Sequence, residues 1–358
     1  MAHRAEIRQQ PPTAFITGAN GYIGAAVCKA FVRAGYRVFG LVRRPESAAD
    51  LIRNEITPVI GSLDDLSFLE QLYTQAPTFD VIINNIEGFG DYEVLFTKIS
   101  ALVKELATKS NANGVKPLLL WSSGCKDYPL SPFHGDAHLT PLTEESPILS
   151  ALPPARVRAE TSLRVFDLHE IVDAIILRPT SVYGYSSSYY GFVLDHVKNE
   201  KARGANVLRI PGNPNSIMHS LHVDDCAEAY VSLAQHPRRE EVAGQAFNIS
   251  GYRYETAGET ASALAQEYGL SGGVEFIPVE DAQGKEAKLE NQGALSLVFY
   301  FSQWVGSDKI RKVTGWTDKR GLFCENLHVY RLAYEAEQQG GHENINLINN
   351  RIHLINQS

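Results

Sequence analysis

A doubly wound parallel α/β sheet, joined to a smaller and less regular α/β unit on its C-terminal side, is the fold predicted for this 358-residue chain. Three observations predict it. Short apolar runs alternate with segments of helical spacing over the first half of the chain. The first strand-to-helix junction is a glycine-rich turn, Thr17 to Gly24, and the alternation loosens beyond Pro179. Hydrophobic residues make up 44% and charged residues 21%, ordinary for a globular chain long enough to bury a large core.

The apolar run Ala14-Phe15-Ile16 predicts the first strand. Tyr22, Ile23, Ala26, Val27, Ala30 and Phe31 recur at helical spacing after it. A strand, a glycine turn and a helix N-terminus in that order form an anion cradle, with unsatisfied N–H groups and the helix dipole facing the ligand. Gly18 permits the tight turn, Gly21 lets the backbone approach a pyrophosphate, and Gly24 lets helix and strand pack closely. Thr17, Gly18, Asn20, Gly21, Tyr22, Ile23 and Gly24 are therefore the expected phosphate-side contacts of a dinucleotide. The second strand, Arg37 to Val42, ends at Arg43, Arg44 and Pro45, where an adenosine ribose sits in such a fold. An acidic residue there accepts from a 2′-hydroxyl, whereas arginine accommodates a 2′-phosphate. No Asp or Glu lies between Arg37 and Pro45, so NADP(H) is favoured over NAD(H), with Arg43 as its contact.

Thr57 to Ile60 reads as a third strand, followed by Gly61-Ser62-Leu63. Asp64 and Asp65 suit the N-cap region of a helix running through Tyr73. Asp80 to Asn85 is a fourth strand with polar residues at its end, placing Asn84 near a nicotinamide ribose. Tyr92 to Ala112 has helical periodicity, and Pro117 to Trp121 is a fifth strand running into Ser122-Ser123-Gly124. A loop from Cys125 to Pro154 precedes a helix at about Arg156 to His169 and a strand at Ala174 to Leu177. Strands alternating with helices in this way give a Rossmann-type parallel sheet buried on both faces. Tyr183 to Gly191 reads as a loop able to reach over a pocket. His219 to Asp225 leads into a helix ending at Ala234, Phe247 to Ser250 is a short strand, and Thr256 to Gly269 is a helix. The aromatic run Leu295 to Val305 reads first as core and second as the wall of an apolar pocket. Arg320 to Gln338 reads as a final helix, and Ile345, Ile348, Ile352 and Ile355 in the tail could dock a helix on the body or on a partner subunit of a homodimer. The expected division is a dinucleotide-binding domain over 1–182, a mainly substrate-binding domain over 183–337 and a tail over 338–358.

A net charge of -8 and a pI near 5.8, without a basic run, argue against nucleic acid as a partner. Cys28, Cys125, Cys226 and Cys324 are scattered without metal-type spacing, so no metal is expected and a reducing compartment suits them. Met1 to Pro12 lacks the apolar core of a signal peptide, and no segment is apolar for long enough to span a membrane. A cytoplasmic protein with a small-molecule substrate is the expectation.

These residues resemble the extended short-chain dehydrogenase/reductase family, of the epimerase/dehydratase type, over nearly the whole chain to about residue 335. The markers are the Thr-Gly-x-x-Gly-x-x-Gly turn, the strand ending in Ser122-Ser123, Arg178-Pro179-Thr180-x-Val182-Tyr183-Gly184, and His222-Val223-Asp224-Asp225. Phe247-Asn248-Ile249 and Gly315-Trp316 resemble later landmarks, and Val42-Arg43 resembles the NADPH-using, dihydroflavonol-reductase-like branch. The resemblance implies hydride transfer with a tyrosine as proton donor, a lysine four residues on that lowers its pKa, and a Ser or Thr that polarises the substrate oxygen. It also implies dinucleotide contacts at Ser62, Leu63, Asn84, Pro179 and Val182.

The chain departs from that pattern at the acid/base pair. Counting back from Glu160 puts Arg156 at the lysine position and Leu152 at the tyrosine position, and none of the 16 tyrosines has a lysine four residues later. Leucine donates no proton, and arginine binds ribose hydroxyls but does not titrate. Ser62 also replaces the family's frequent aspartate after the third strand. Ser123, Ser122, Arg156 and Tyr189 are the candidate catalytic residues; Tyr128, His134, His138, Tyr183 and Tyr190 are further candidate proton donors. His222 reads as structural and Cys125 as a buried thiol. Three functions are compatible with this: an NADP(H)-dependent oxidoreductase of a small, rather apolar carbonyl or alcohol with a non-standard proton donor; a non-redox isomerase, cyclase or lyase on the same scaffold; or a dinucleotide-sensing regulatory protein.

Overall fold

Short apolar runs of four to seven residues, each ended by a glycine, a polar turn or a helix cap, form the strands of the central sheet. The computed structural model describes residues 10–88, 91–186, 188–278 and 292–357, so most of the polar stretch Met1 to Pro12 lies outside the described residues. Strand β1 (Thr13–Thr17) enters α1 (Tyr22–Arg33), followed by β2 (Arg37–Val42), α2 (Ala48–Arg53), β3 (Thr57–Ile60), α3 (Phe68–Gln75), β4 (Val81–Asn84), α4 (Tyr92–Ala112) and β5 (Leu118–Ser122). Then come α5 (Pro153–Ser162), β6 (Asp173–Pro179), β7 (Ser181–Tyr183), α6 (Tyr189–Ala202), β8 (Leu208–Pro211), β9 (Ile217–Met218), β10 (Ser220–His222) and α7 (Val223–Ala234). The chain continues with β11 (Gln245–Ile249), β12 (Glu255–Thr256), α8 (Ala257–Glu267), β13 (Val274–Ile277), α9 (Gln292–Phe299), α10 (Asp308–Thr314), α11 (Leu327–Gln339) and α12 (Glu343–Gln357).

The central sheet has seven strands in the order β11-β6-β5-β4-β1-β2-β3, and every pairing in it is parallel. The order reverses between β1 and β4. In an open sheet of this kind that reversal opens a ligand crevice beyond the carboxyl ends of the strands. One face is packed by α1 and α7 through Val27, Phe31, Ala227 and Tyr230, the other by α3 and α4 through Leu72, Ile99, Leu102 and Leu106. A third apolar cluster, including Tyr190, Val193, Leu264, Phe299 and Phe323, forms the core of the second half. Strand β11 returns from residue 245 to the edge of the main sheet, so the two halves share one sheet.

Helix α4 spans the predicted residues because Asp91 caps it, accepting from Glu93 N and Val94 N. Helix α8 starts on a capping box between Thr256 and Glu259. Other boundaries move. Helix α3 starts at Phe68, not after Asp65, because Asp65 spends its carboxylate on Ser67 N and Oγ and closes a turn before the helix. The segment expected to be a loop through Gly191 turns helical at Tyr189, with Tyr190 buried in the second core. The final expected helix starts at Leu327; Lys319 and Arg320 are held outside it because their backbone N–H groups bond a carboxylate of α7. The tail is helical, and Ile345, Ile348 and Ile352 dock it on the body of its own chain; the side chain of Ile355 lies outside the described residues. No helix among the described residues is long and apolar enough to cross a membrane, and no cluster among them has the make-up of a metal site.

The His222-Val223-Asp224-Asp225 landmark is structural. His222 Nδ1 accepts from Asp224 N and caps α7. Asp225, almost fully buried, accepts from Lys319 N at 3.1 Å, Arg320 N at 3.0 Å and Arg320 Nη1 at 2.7 Å, and so fastens the late loop to α7. Replacing it by alanine strands two backbone donors, while Arg320 keeps Glu228 and Asp224 as partners. Asp225→Ala should therefore lower unfolding stability by about 2–3 kcal/mol, measured by chemical denaturation.

Candidate active site at the carboxyl edge of the sheet

The glycine turn is built as its sequence requires. Gly18 sits at φ +65, where a side chain is strained, and a Cβ there would lie 2.8 Å from Asn85 O. A Cβ on Gly24 would lie 2.1 Å from Gly18 O, so only glycine lets α1 approach the turn this closely. Gly21 occupies the N-cap of α1 and gives no side-chain cap, which leaves the first N–H groups of that helix directed at the crevice. Thr17 Oγ1 donates to Asn84 Oδ1 at 2.8 Å across the reversal point. Asn84 Nδ2 and Asn85 Nδ2 are buried at the end of β4 with no hydrogen-bond partner. Orphaned buried amides are unusual in a folded protein. Together with the uncapped helix and the cradle that a Cβ would fill, they fit the phosphates and ribose of a nicotinamide dinucleotide.

At the adenosine end, Arg43 is exposed and has no ion-pair or hydrogen-bond partner among the described residues. Arg44 pairs with Glu343 at the start of α12. Glu343 also accepts from Ser47 Oγ at 3.3 Å, and Asn20 Nδ2 donates to the same Ser47 Oγ at 3.3 Å. Ser62 Oγ accepts from Asp64 N, so its hydroxyl is engaged within its own loop, and Leu63 packs on the apolar face of the sheet. Tyr22 OH donates to Gly184 O, while Pro179 and Val182 are buried, Val182 in the core beside α7.

The edge of the crevice beside β5 is organised by a residue that no motif in the sequence marks. Asp127, in a short 3-10 turn after β5, is 1% exposed and accepts from three side chains. Ser123 Oγ donates to it at 2.6 Å, Arg158 Nη2 at 2.8 Å and Arg178 Nε at 3.2 Å. Arg178 also donates to Tyr128 OH, which donates to Asn248 Oδ1. Two family landmarks, Arg178 and Asn248, thus meet in one buried network. The proton of Ser123 is committed to Asp127, and Ser122 Oγ donates to Asn85 Oδ1 while sharing a hydrogen bond with Tyr230 OH.

Helix α5 starts at Pro153, with Leu152 as its N-cap residue. Arg156 is exposed and donates to Ser150 O, outside this network. Two residues on, Arg158 enters the crevice and bridges Asp127 to Glu87. The helical step explains the exchange, since residues two apart point to different faces. Tyr128 and Tyr183 are closed off, the second by donating to Gly321 O, and His134 bonds Tyr254 OH on the exterior. His138 is an exposed loop residue. Tyr189 stands by Glu87, Arg158 and Arg351; burial first, and then the Glu87 carboxylate, push its phenol up to about 12. Cys125 is a buried thiol whose pKa burial raises.

Lys126 is the second residue the sequence did not single out. It follows Ser123 by three positions, and its Nζ lies 3.5 Å from the centre of the Phe301 ring. Loss of hydration, more than the nearby Arg158 charge, pulls its ammonium down to about 8. No carboxylate pairs with it among the described residues. Gln303 Nε2 donates to Cys125 O, Tyr128 O and Pro129 O, which clamps the aromatic segment on this turn. Leu295, Phe299 and Val305 are core, as first expected, while Tyr300, Phe301 and Trp304 stay partly accessible.

Comparison with known proteins agrees with this geometry. Residues 14–250 match the NAD dependent epimerase/dehydratase family, which covers the sheet from β1 through β11. An uncharacterized protein of Schizosaccharomyces pombe is 26% identical over 315 residues, 87% of this chain and 97% of its own length. The dTDP-glucose 4,6-dehydratase of Bacillus anthracis, solved in complex with NAD, superposes with a TM-score of 0.68 at 17% identity over 92% of this chain and 98% of that one. The UDP-glucuronic acid 4-epimerase of Bacillus cereus superposes at 0.66 and 15% identity, over 90% and 99%. The chain belongs to the NAD dependent epimerase/dehydratase family and has the scaffold of an enzyme that uses a nicotinamide dinucleotide.

Proposed function

We propose that this protein is an NADP(H)-dependent oxidoreductase acting on the carbonyl or alcohol of a small, largely apolar metabolite, with a proton donor other than a helix tyrosine. The observation that carries this reading is the complete dinucleotide cradle, with its close Gly18–Gly24 approach and the unpaired amides of Asn84 and Asn85. Arg43, exposed at the end of β2 without a partner among the described residues, supports a 2′-phosphate. The half-accessible rings of Tyr300, Phe301 and Trp304 beside the β5 turn support an apolar substrate.

Bound at this site, the reduced dinucleotide supplies the hydride. The chain's own residues then have to handle the electron pair left on the substrate oxygen. Lys126 can give that oxygen a proton from its ammonium and become a neutral amine, which a proton from solvent recharges. Its pKa near the neutral range is what general acid catalysis requires, whereas Tyr189, pushed up to about 12, holds its proton more tightly. Arg158, held by Asp127 and Glu87, keeps a fixed positive charge at the same end of the crevice. The missing tyrosine–lysine pair leaves a non-redox lyase or isomerase as the competing reading.

Three measurements check this. NADPH should bind the purified protein, and Gly24→Ala should weaken that binding more than about tenfold, because the added methyl displaces the turn carbonyl. With a panel of aldehydes and ketones, NADPH absorbance should fall in step with alcohol formation; product without NADPH consumption supports the non-redox reading instead. Since the ammonium is the acid, reduction should proceed at full rate below about pH 8 and decline above it. Lys126→Met should lower kcat by about hundredfold and abolish that decline.

A further inference from the structure

Sequence places Glu343 299 residues from Arg44, yet the fold sets its carboxylate at the adenosine end of the crevice. There it pairs with Arg44 and accepts from Ser47 Oγ, and Ser47 in turn accepts from Asn20 of the glycine turn. The helix that carries Glu343 then runs along the mouth of the crevice. Asn344 Nδ2 donates to Ser186 Oγ in the loop after β7, at 3.2 Å with both side chains buried. Past the middle of the helix, Arg351 lies 3.9 Å from Glu87, which is itself paired with Arg158. Glu343 and Arg351 lie on one 15-residue helix, about 12 Å apart along its axis, so it links the Arg44 end of the crevice to the Glu87–Arg158 pair. Ile345, Ile348 and Ile352 fix its inner face against the second core, so its polar residues are the ones left to meet the crevice.

We infer that Glu343 and the 2′-phosphate of an NADP-type dinucleotide compete for Arg44, which makes α12 a strap whose docking discriminates between the two nicotinamide dinucleotides. The inference rests on the proposed placement of the adenosine ribose at the end of β2. A 2′-phosphate brings about two negative charges and seeks arginine. With α12 docked, one of the two arginines is already neutralised, and a carboxylate stands where the phosphate must approach. A 2′-hydroxyl meets no such conflict; Glu343 can accept from it and stay paired. NADP(H) therefore has to draw Arg44 away from the start of α12, whereas NAD(H) leaves the strap closed. The carboxylate that is absent from the β2 loop in sequence is supplied from the far end of the chain.

The test uses the full-length protein and both reduced dinucleotides, titrated by protein fluorescence and followed by hydrogen exchange of residues 343–357. Glu343→Gln should tighten NADPH binding by about tenfold and change NADH binding by less than about twofold. In the wild type, NADPH should speed amide exchange in the first turn of the helix and NADH should not. In an Arg44→Ala background, Glu343→Gln should have no further effect on the NADPH to NADH ratio, which separates competition for Arg44 from a general loosening of the tail. Equal changes for the two dinucleotides, or a helix whose exchange ignores NADPH, overturn the inference while the cofactor reading stands. If neither dinucleotide binds the wild type or the variants, both readings are overturned.

Discussion

A single buried carboxylate holds the carboxyl edge of the central sheet together. Asp127 lies in the turn that follows β5 and takes hydrogen bonds from that turn, from α5 and from β6. Through Arg178, Tyr128 and Asn248 the same network reaches β11 at the far edge of the sheet. Two guanidinium groups and one carboxylate in a dry environment are tolerable only as a set, because each ion loses its hydration. Glu87 supplies the second negative charge from the more exposed side of Arg158. The consequence is geometric. Ser123, Arg158 and the Lys126 backbone are held in one arrangement, so these groups are fixed in place before any ligand arrives.

The dinucleotide end depends on a different constraint, the close approach of backbone to backbone. Gly24 and Gly18 are in contact at a distance no side chain permits, and this brings the N-terminus of α1 up to the crevice. What reaches that crevice from elsewhere is electrostatic. Arg43 remains open to solvent, while Arg44 is drawn toward the C-terminal helix. Charge at this end is thus set jointly by the β2 loop and by a segment at the other terminus of the chain.

Much of this was legible from residue order. The strands β1 to β6 and the helix from Tyr92 to Ala112 follow from apolar periodicity and from local caps such as Asp91, and both kinds of signal are short in range. The glycine turn was legible for the same reason, since Gly21 and Gly24 both answer to the Gly18 carbonyl within the same turn, although Gly18 itself also meets Asn85 at the end of the neighbouring strand β4. His222 and Cys125 also behave as their surroundings in sequence suggested. The substitution of Leu152 and Arg156 for a tyrosine and a lysine was visible, but the residue that enters the crevice from α5 is Arg158. Counting from a motif gives a position on a helix; the start of that helix at Pro153 and its docking decide which side faces the site. Asp127 and Lys126 gave no local signal, because an acid–base pair of neighbouring residues in a polar loop looks like any solvated turn.

By itself, the sequence determined the order of the elements, the glycine cradle, the absence of the tyrosine–lysine pair and the apolar character of the tail's isoleucines. These are properties of neighbours three or four residues apart, and periodicity encodes them directly. Only the tertiary structure decided that Asp127 is an anchor and not a surface acid, because its burial depends on Arg158 and Arg178 arriving from other elements. The same holds for Lys126, whose lowered pKa comes from dehydration beside Phe301. Glu343 shows the limit most plainly. No reading of the β2 loop could supply its carboxylate, since long-range packing of the C-terminal helix, and nothing in the local sequence, brings it to Arg44.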